Sequence, residues 1–183
     1  RERQRQTLLE RVPDLVERVV WLDTMPSRAW RGLILANEVL DALPVERFII
    51  TAQGARRIVV TWTDNGLAYA EGAEDAEVSA AVAHIEAELG QRLPEGYTSE
   101  YVPYLEEWLA ALAEQLEAVA LLFIDYGYPR RSYYHPDRTA GTLLCHYRHR
   151  AHANALLLVG LQDITANVDF TALADAALAT GLH

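Results

Sequence analysis

The sequence predicts an α/β fold built on a parallel sheet. The first elements alternate as helix, strand, loop and strand, which is the order typical of α/β proteins. The candidate strands at residues 33–36 and 118–124 are almost continuously apolar, as strands covered on both faces are. With 183 residues, of which 51% are hydrophobic, the chain is long enough for a single domain over residues 1–183.

The opening residues predict a helix followed by a short strand. Apolar residues at helical spacing mark a helix over roughly the first dozen residues, and Pro13 ends it because an interior proline removes a backbone hydrogen bond. The apolar run at 19–23 predicts a strand that ends in Asp23. After a turn containing Pro26, residues 33–36 form the next predicted strand.

Residues 45–117 interrupt this alternation. Runs at 45–51, 57–63 and 67–71 predict an antiparallel β-meander, and the sequence Asp64-Asn65-Gly66 is typical of a hairpin turn. Two helices are predicted after the meander. We interpret the meander and these helices as an insertion beside the main sheet.

Apolar spacing and prolines mark the two helices of the insertion. The first helix ends before Pro94, and the second begins near Pro103, where a first helical turn tolerates proline. The apolar stripe of the first helix consists of Val78, Val82, Ile85, Leu89 and Leu93.

The main alternation returns at residues 118–124, a fully apolar strand followed directly by Asp125. Two further strands are predicted at 142–148 and 155–159. Asp169 is a candidate N-cap for a final helix, because an aspartate can accept hydrogen bonds from the free amides of a first turn.

The composition argues against several classes of function. A net charge of -10 disfavours nucleic-acid binding, because phosphate backbones are bound by clustered cations. All 16 basic residues are arginine, so no lysine of this chain can form a Schiff base. The single cysteine, Cys145, excludes an internal disulfide. No apolar run approaches the roughly 20 residues that cross a bilayer, so no membrane span is expected.

Polar residues follow three of the predicted strands. In parallel sheets the ligand crevice lies at the carboxyl ends of the strands. Polar residues also collect at strand ends because those ends meet solvent, so a single acidic end is weak evidence, whereas three in one sheet favour a site. No serine or cysteine lies in an elbow sequence, which argues against hydrolysis by a triad. The residues are Asp23, Thr24, Asn37, Glu38, Asp41, Asp125, Tyr126 and Tyr128.

Residues 125–152 are rich in arginine and histidine. His146, His149 and His152, with Cys145 adjacent, suggest a metal site. Their spacing fits neither ligands one helical turn apart nor the usual zinc-finger pairs, so a basic surface or a partner-facing loop is favoured and no metal is expected. The glycines are scattered, so no phosphate- or nucleotide-binding glycine loop is predicted.

Three blocks of the sequence resemble one known family. GLILANEVLDALPVERF (32–48), residues 121–152 and GLQDITANVDFTAL (160–173) resemble the MidA-like S-adenosylmethionine-dependent methyltransferases, whose mitochondrial members assist assembly of respiratory complex I. The resemblance implies a partial class I (Rossmann-like) methyltransferase fold and S-adenosyl-L-methionine as cofactor. It also implies that the chain is an internal segment whose first strand and glycine-rich cofactor loop precede residue 1.

The resemblance implies roles for the residues at the strand ends. Asp23 and Thr24 would lie near the cofactor adenine, and Asn37 beside the sulfonium methyl group. Residues 125–128, which include Asp125, Tyr126 and Tyr128, would lie on the substrate side. The sequence departs from the family at Asn167, where a histidine is common, so any role of that histidine is in doubt here.

Family members are associated with methylation of a protein arginine. A guanidinium, with a pKa above ~12, is a poor nucleophile until a carboxylate orients it and accepts its proton. Glu38, with Asp41 as a second acid, could supply that hold. The alternative is that Asp41 caps the turn before Pro44 and Glu38 pairs with a neighbouring arginine.

Two hypotheses for function follow. The first is a fragment of a methyltransferase acting on a protein, such as a respiratory-complex subunit, in the cytoplasm of a bacterium or the mitochondrial matrix of a eukaryote. The segment alone would be inactive, with negligible affinity for the cofactor. The alternative is an assembly or scaffold factor in which methyl transfer is secondary or lost. An exposed sheet edge could also promote homo-oligomers.

Overall fold

The computed structural model describes residues 1–26, 28–114 and 116–183. Within these ranges the chain forms five α-helices, one 3₁₀ helix and eleven strands. In chain order they are α1 Glu2–Arg11, the 3₁₀ helix Pro13–Arg18, β1 Trp30–Asn37, β2 Glu46–Thr51, β3 Gly54–Thr63, β4 Gly66–Glu71, α2 Ala76–Leu89, β5 Thr98–Tyr101, α3 Leu105–Ala113, β6 Leu116–Ile124, β7 Gly127–Tyr128, α4 Arg130–Tyr133, β8 Leu144–Tyr147, β9 Arg150–His152, β10 Asp163–Thr165, β11 Val168–Asp169 and α5 Phe170–Ala179.

The two most apolar strands pair with each other. β1 and β6 run parallel, with Leu33 opposite Ala120 and Asn37 opposite Ile124. The parallel direction agrees with the parallel sheet predicted from these apolar runs, whereas their pairing with each other was not predicted. A parallel pair requires a long connection, and here the meander, α2 and α3 supply it.

One face of this parallel pair is covered and the other is open among the described residues. Helix α3 packs on the covered face, where the rings of Trp108 and Phe123 lie 5.9 Å apart. Leu35 on the opposite face is 62% exposed, and Leu33, Leu122 and Ile124 are exposed beside it. The expectation of a sheet covered on both faces is therefore wrong for the described chain, because no second layer of helices packs on that face.

The meander forms as predicted and gains one strand. β4, β3, β2 and β5 lie side by side in an antiparallel sheet. The hairpin turn before β4 places Gly66 at a φ of 100°, which glycine adopts without steric cost. β5 was not predicted, because the tetrapeptide TSEY has no apolar alternation although Ser99 and Glu100 are fully buried.

The core of the molecule lies between the meander, α2 and α4. Asp75 caps α2 by accepting hydrogen bonds from the amides of Glu77 and Val78 at 2.9 and 3.2 Å, and Gly90 ends the helix at a φ of 69°. The buried residues that pack together are Phe48, Ala55, Val78, Val82, Ile85, Leu93, Tyr97, Tyr133 and Tyr134. Val78, Val82 and Ile85 of the predicted stripe are therefore confirmed as a buried helix face, and Leu89 packs against the core. Leu93 is also buried, but it lies beyond the helix, which ends at Gly90 and not just before Pro94.

Two predicted strands are wrong. Residues 19–23 belong to no β-ladder, because no other described strand lies alongside them. Residues 155–159 form turns and bends instead of a strand. The Asn154 side chain accepts a hydrogen bond from the amide of Leu156 at 3.0 Å, and Gln162 donates to the carbonyl of Ala155 at 2.6 Å. These local bonds replace a strand ladder.

The strand β8 and the N-cap of α5 agree with the prediction from the sequence. β8 lies within the predicted strand at 142–148 and is paired with β9 and β10, two short strands that were not predicted. Asp169 caps α5 through the amides of Thr171 and Ala172, as predicted. Among the helices formed by the described residues, none is both long and apolar enough to cross a membrane.

Candidate functional site

The parallel register brings two of the predicted polar strand ends together. Because Asn37 lies opposite Ile124, the residues that follow β1 and β6 emerge at the same edge. The amide of Glu38 donates to the carbonyl of Ile124 at 2.9 Å, so the ladder continues one residue beyond β1. Asn37, Glu38 and Asp125 therefore share this edge, as the sequence predicts.

Asp125 organises the turn that follows β1. Its Oδ2 accepts hydrogen bonds from the amides of Val39, Leu40 and Asp41 at 3.1, 2.9 and 3.3 Å. Successive backbone amides that converge on one carboxylate form a strong anion-binding arrangement. The described contacts of Asp125 thus hold the turn, whereas its predicted contact with substrate stays a prediction.

Glu38 occupies an unusual backbone conformation. Its φ of 50° lies in the left-handed region, which costs a residue with a Cβ roughly 1–2 kcal/mol. Its side chain is exposed and forms no hydrogen bond or ion pair with any residue in the described ranges. The alternative in which Glu38 pairs with a neighbouring arginine is therefore not seen, and the carboxylate is available to a ligand.

Asp41 is buried and already bound. It is 4% exposed, and the hydroxyl of Tyr126 donates a short hydrogen bond to its Oδ2. Burial, followed by this hydrogen bond, raises the pKa of Tyr126. The carbonyl of Asp41 also accepts from the amide of Ala166 at 2.9 Å. Asp41 thus links three segments around the turn, and its carboxylate does not cap the turn before Pro44 by any bond among the described residues.

Asp23 and Thr24 lie apart from this hydrogen-bonded cluster. They occupy an exposed bend, where Asp23 forms an ion pair with Arg1 at 2.6 Å. No bond among the described residues links either side chain to the edge formed by β1 and β6. Their predicted place near a cofactor stays a prediction.

Tyr128 lies on a short strand tied to the C-terminal segment. β7 pairs in parallel with β11, so Gly127 lies opposite Val168 and Tyr128 opposite Asp169. The two backbones approach so closely that a Cβ on Gly127 would collide with the Val168 carbonyl. The guanidinium of Arg138 lies over the Tyr128 ring, 4.1 Å from its centre.

A cavity of about 400 Å³ adjoins this edge. Leu40, from the turn held by Asp125, forms part of its wall, as do Asn167 and the buried Glu100. Sequence reasoning missed the cavity because its walls come from β5, α2, α3, α4 and α5, which are distant in sequence. The only signal for Glu100 is its place between the aromatic residues Tyr97 and Tyr101, which hints at a strand but not at burial.

Arg130 forms ion pairs that connect the elements of the cavity wall. Its side chain is buried, and it binds Asp169 and Asp175 at 3.1 Å each, with Glu88 at 3.8 Å. Burial alone would lower the pKa of Arg130, but the neighbouring carboxylates, Asp169 foremost, raise it above its usual value. The cation therefore joins α4 to α5 and α2.

The histidine-rich loop shows no metal cluster. In the parts of the chain that are described, no group of three His, Cys, Asp or Glu side chains is placed to hold a metal ion. Arg148 and His149 form the turn between β8 and β9, both at positive φ, and Cys145 lies opposite His152 across the hairpin. The histidines are thus distributed along a hairpin.

Comparison with known proteins shows what this arrangement resembles. Residues 1–183 match the family described as "Putative S-adenosyl-L-methionine-dependent methyltransferase". A crystal structure from Burkholderia thailandensis, described as a "likely methyl transferase" bound to S-adenosyl-homocysteine, is 40% identical with a TM-score of 0.88. A native crystal structure of an uncharacterized protein of the same superfamily and organism gives the same identity and TM-score.

The chain spans less than half of these solved proteins. In both comparisons the matched region includes 98% of this chain. It includes only 45% of the first solved protein and 47% of the second. No curated protein matches the chain.

Proposed function

Because the chain belongs to this family of S-adenosyl-L-methionine-dependent methyltransferases, we propose that the protein containing it methylates an arginine of a protein substrate. The observation that carries the proposal is the shared edge of β1 and β6. There the exposed carboxylate of Glu38 is held in a strained turn, next to the side-chain amide of Asn37. Strained residues cluster at functional sites when the surrounding bonds hold them in place, as Asp125 does here.

The residues present fit a cationic cofactor and a cationic substrate. When bound, S-adenosyl-L-methionine supplies an electrophilic methyl group on a positively charged sulfur. Asn37 and Glu38 present an exposed amide and a free carboxylate at the same edge, and both types of oxygen suit positively charged groups. We assign Asn37 to the cofactor side and Glu38 to the acceptor, and we keep Asp23 and Thr24 as candidate contacts to the adenine.

Glu38 would prepare the acceptor for an in-line displacement. An arginine nitrogen attacks the methyl carbon, the carbon–sulfur bond breaks toward sulfur, and the nitrogen loses a proton. The Glu38 carboxylate orients the guanidinium by paired hydrogen bonds and accepts that proton. Asp125, Asp41 and Tyr126 keep the turn in place, so that Glu38 needs no reorganisation during the reaction.

Substitution of Glu38 tests this mechanism in the full-length protein. Glu38→Gln should bind S-adenosyl-homocysteine as the wild type does, because the exposed side chain holds no other part of the fold. Methyl transfer should fall roughly a hundredfold or more, since a general base is lost. Glu95→Gln, an exposed acid after α2, is the matched control. Unchanged turnover in Glu38→Gln would remove Glu38 from the mechanism.

We propose further that the chain is a segment of a longer, MidA-like enzyme with a class I (Rossmann-like) fold, and that residues 45–117 are inserted into its single α/β domain. The solved relatives are more than twice as long, and one of them binds S-adenosyl-homocysteine. The exposed face of β1, with Leu33 and Leu35, is consistent with a missing layer.

Calorimetry on the segment and on the full-length protein tests that proposal. We expect S-adenosyl-homocysteine to bind the full-length protein but to show negligible affinity for residues 1–183, because the glycine-rich loop that binds the cofactor would lie outside them. Tight binding by the segment alone would contradict this placement of the site.

A second candidate, an assembly or scaffold factor, is favoured by one surface. The hairpin of β3 and β4 extends beyond β2 and exposes apolar side chains on one face, where Trp62 is 77% exposed and Val60 and Tyr69 lie beside it. Such a patch is typical of a protein-binding surface. An intact glycine-rich segment before residue 1 favours the enzyme, and a degraded one favours the scaffold.

A further inference from the structure

Arg138 is a cation stacked on an aromatic ring near the proposed reaction site. Its guanidinium lies over the ring of Tyr128, 4.1 Å from the ring centre. Such a stack fixes one face of the planar guanidinium and leaves its edges, where the N–H groups point, to form hydrogen bonds. Arg138 is half-buried and Tyr128 is 37% exposed, so the stack lies at the protein surface. It presents an oriented set of donors there.

The backbone that carries Arg138 is attached to its surroundings on both sides. The amide of Arg138 donates to the carbonyl of His135 at 2.8 Å. The carbonyl of Thr139 accepts from the amide of Thr98 at 3.0 Å, and Ala140 forms a β-bridge with Thr98. On the other side of the stack, β7 carries the ring and is paired with β11. Neither half of the stack therefore has to be ordered when a ligand binds, which reduces the entropic cost of binding.

No carboxylate of the described residues neutralises Arg138. Its Nε is buried without an acceptor, and its side chain takes part in no ion pair within the described ranges. The adjacent acid, Asp137, lies 3.6 Å from Nδ1 of His135 instead. Arg130, in contrast, is surrounded by three acids of neighbouring helices. Packing on the ring, rather than an ion pair, thus holds the Arg138 cation, and its charge is available to a ligand.

The stack lies within reach of the turn that presents Glu38. Tyr128 follows Asp125 by three residues, which span at most about 11 Å. The carboxylate of Asp125 accepts from the amide of Val39, next to Glu38, at 3.1 Å. An extended peptide covers about 3.3–3.6 Å per residue. A substrate whose arginine lies at Glu38 can therefore bring a residue within roughly five positions of that arginine to the stack.

The chemistry of the stack favours a carboxylate as its ligand. The two terminal nitrogens of a guanidinium form parallel hydrogen bonds with the two oxygens of a carboxylate. An amide side chain offers a single oxygen and no charge, so it binds more weakly. A net charge of -10 disfavours ligands with many phosphates but leaves room for one acidic group beside a single cation. Glutamate or aspartate is therefore the side chain that the stack fits.

We propose that Arg138, held on the ring of Tyr128, binds an acidic side chain of the protein substrate near the arginine that is methylated, and so selects among substrates. The inference rests on the proposed function for the source of that side chain, but it concerns a cation that takes no part in methyl transfer. It gives a role to one arginine of the basic segment 125–152. The amino acid part of the cofactor also carries a carboxylate, so the two sources have to be distinguished by experiment.

Paired peptides measure this preference in the full-length protein. The probes are acetylated and amidated glycine–serine peptides with one arginine and one glutamate at each spacing up to about five residues on either side, and matched peptides with glutamine for glutamate. Binding is followed by NMR titration in the presence of S-adenosyl-homocysteine. At the best spacing, the glutamate peptide should bind about tenfold more tightly than its glutamine match, because a charged pair of hydrogen bonds is lost in the latter. No detectable affinity, or no preference at any spacing, would overturn the proposal.

Two pairs of variants assign the preference to the stack. Arg138→Gln should bind the two peptides equally, whereas Arg92→Gln, the same change of charge at an exposed residue after α2, should keep the preference. Tyr128→Leu removes the ring and should reduce the preference, whereas Tyr104→Leu, at an exposed ring before α3, should not. This second pair decides the matter if Arg138→Gln does not fold. A full preference for glutamate in both Arg138→Gln and Tyr128→Leu would overturn the proposal.

Binding of S-adenosyl-homocysteine to the same samples distinguishes the two sources of carboxylate. It should be unchanged in Arg138→Gln. A loss of about tenfold or more in that variant, with the glutamate preference intact, would assign Arg138 to the cofactor and overturn the proposal.

Methyl transfer to the same peptides separates this inference from the proposed function. A glutamate preference in binding, without methylation of any peptide by the wild type, would count against arginine methylation and leave the carboxylate site in place. Methylation at equal kcat/KM for glutamate and glutamine peptides, with equal binding, would support the proposed function and overturn the role of Arg138.

Discussion

Three acidic residues lie at or near the edge of β1 and β6. The side chains of two of them are hydrogen-bonded within the protein, and the third is free. Asp125 is satisfied by four backbone amides, and Asp41 by the hydroxyl of Tyr126. Glu38 alone among these acids has an exposed side chain without a partner in the described chain. Two acids therefore shape the turn, and the third is presented by it.

The hydroxyl of Tyr126 should contribute measurably to stability. Tyr126→Phe leaves the carboxylate of Asp41 buried without its donor, so we expect a loss of about 1–3 kcal/mol in the free energy of unfolding, measured by urea denaturation. Tyr128→Phe is the matched control, because the Tyr128 hydroxyl has no hydrogen-bond partner in the described ranges. Equal stability of the two variants would mean that Asp41 is satisfied in another way.

At the scale of elements, α2, α4 and α5 are positioned by a few polar side chains at or near their ends. Asp75 starts α2, Asp169 starts α5, and Arg130 joins α4 to the helices on either side. These contacts place the apolar faces of α2 and α5 against the meander and the cavity. The cavity is thus a consequence of how caps and one buried cation orient short elements.

Removal of the cap of α2 should destabilise the whole core. Asp75→Ala loses two bonds to backbone amides and an ion pair with Arg57 at 2.8 Å, so we expect a lower free energy of unfolding than in the wild type. The Val78 amide bond foremost lowers the pKa of Asp75. Its contribution is therefore present above the unfolded pKa of about 3.9 and is lost as pH falls below it.

Thermal unfolding of Asp75→Ala and of the neighbouring exposed Glu74→Ala, each at neutral pH and below pH ~3, would measure this effect. Asp75→Ala should differ from the wild type at neutral pH and converge with it in acid. A constant difference at both pH values would argue that the loss is due to packing rather than to the carboxylate.

At the scale of the whole molecule, the buried tyrosines make stability sensitive to alkali. Burial raises the pKa of Tyr97 to about 12 and raises the pKa values of Tyr133 and Tyr134 as well. A raised folded-state pKa contributes stability that is complete below the unfolded value of about 10 and is lost as pH rises through the folded value. We expect the free energy of unfolding to fall steeply above pH ~10.

Urea denaturation at several pH values between about 8 and 11 would measure that slope. Tyr97→Phe should show a shallower slope than the wild type, because one buried hydroxyl no longer titrates. Tyr104→Phe, an exposed ring, is the control and should keep the wild-type slope. Parallel curves for wild type and Tyr97→Phe would exclude Tyr97 as a source of the sensitivity.

The sequence predicted most elements and part of the candidate site. The meander, α2, α5 and the strands β1 and β6 follow from local periodicity and cap residues, which act within a few positions of the chain. The strands predicted at 19–23 and 155–159 were wrong, because an apolar run forms a strand only where a neighbouring strand can pair with it. β5 was missed, because its buried residues are polar, and the donors to the Glu100 carboxylate lie in α4 and in the loop before β8.

The sequence by itself determined two apolar strands of a parallel sheet, followed by Asn37, Glu38 and Asp125, and a parallel sheet sends such strand ends to one edge. The tertiary structure decided that these two strands are neighbours. Only the tertiary structure decided which acids are free. The donors to Asp41 and Glu100, and three of the four donors to Asp125, lie more than thirty positions away in the chain. Hydrogen-bond satisfaction of a buried carboxylate depends on such distant partners, and no local pattern encodes them.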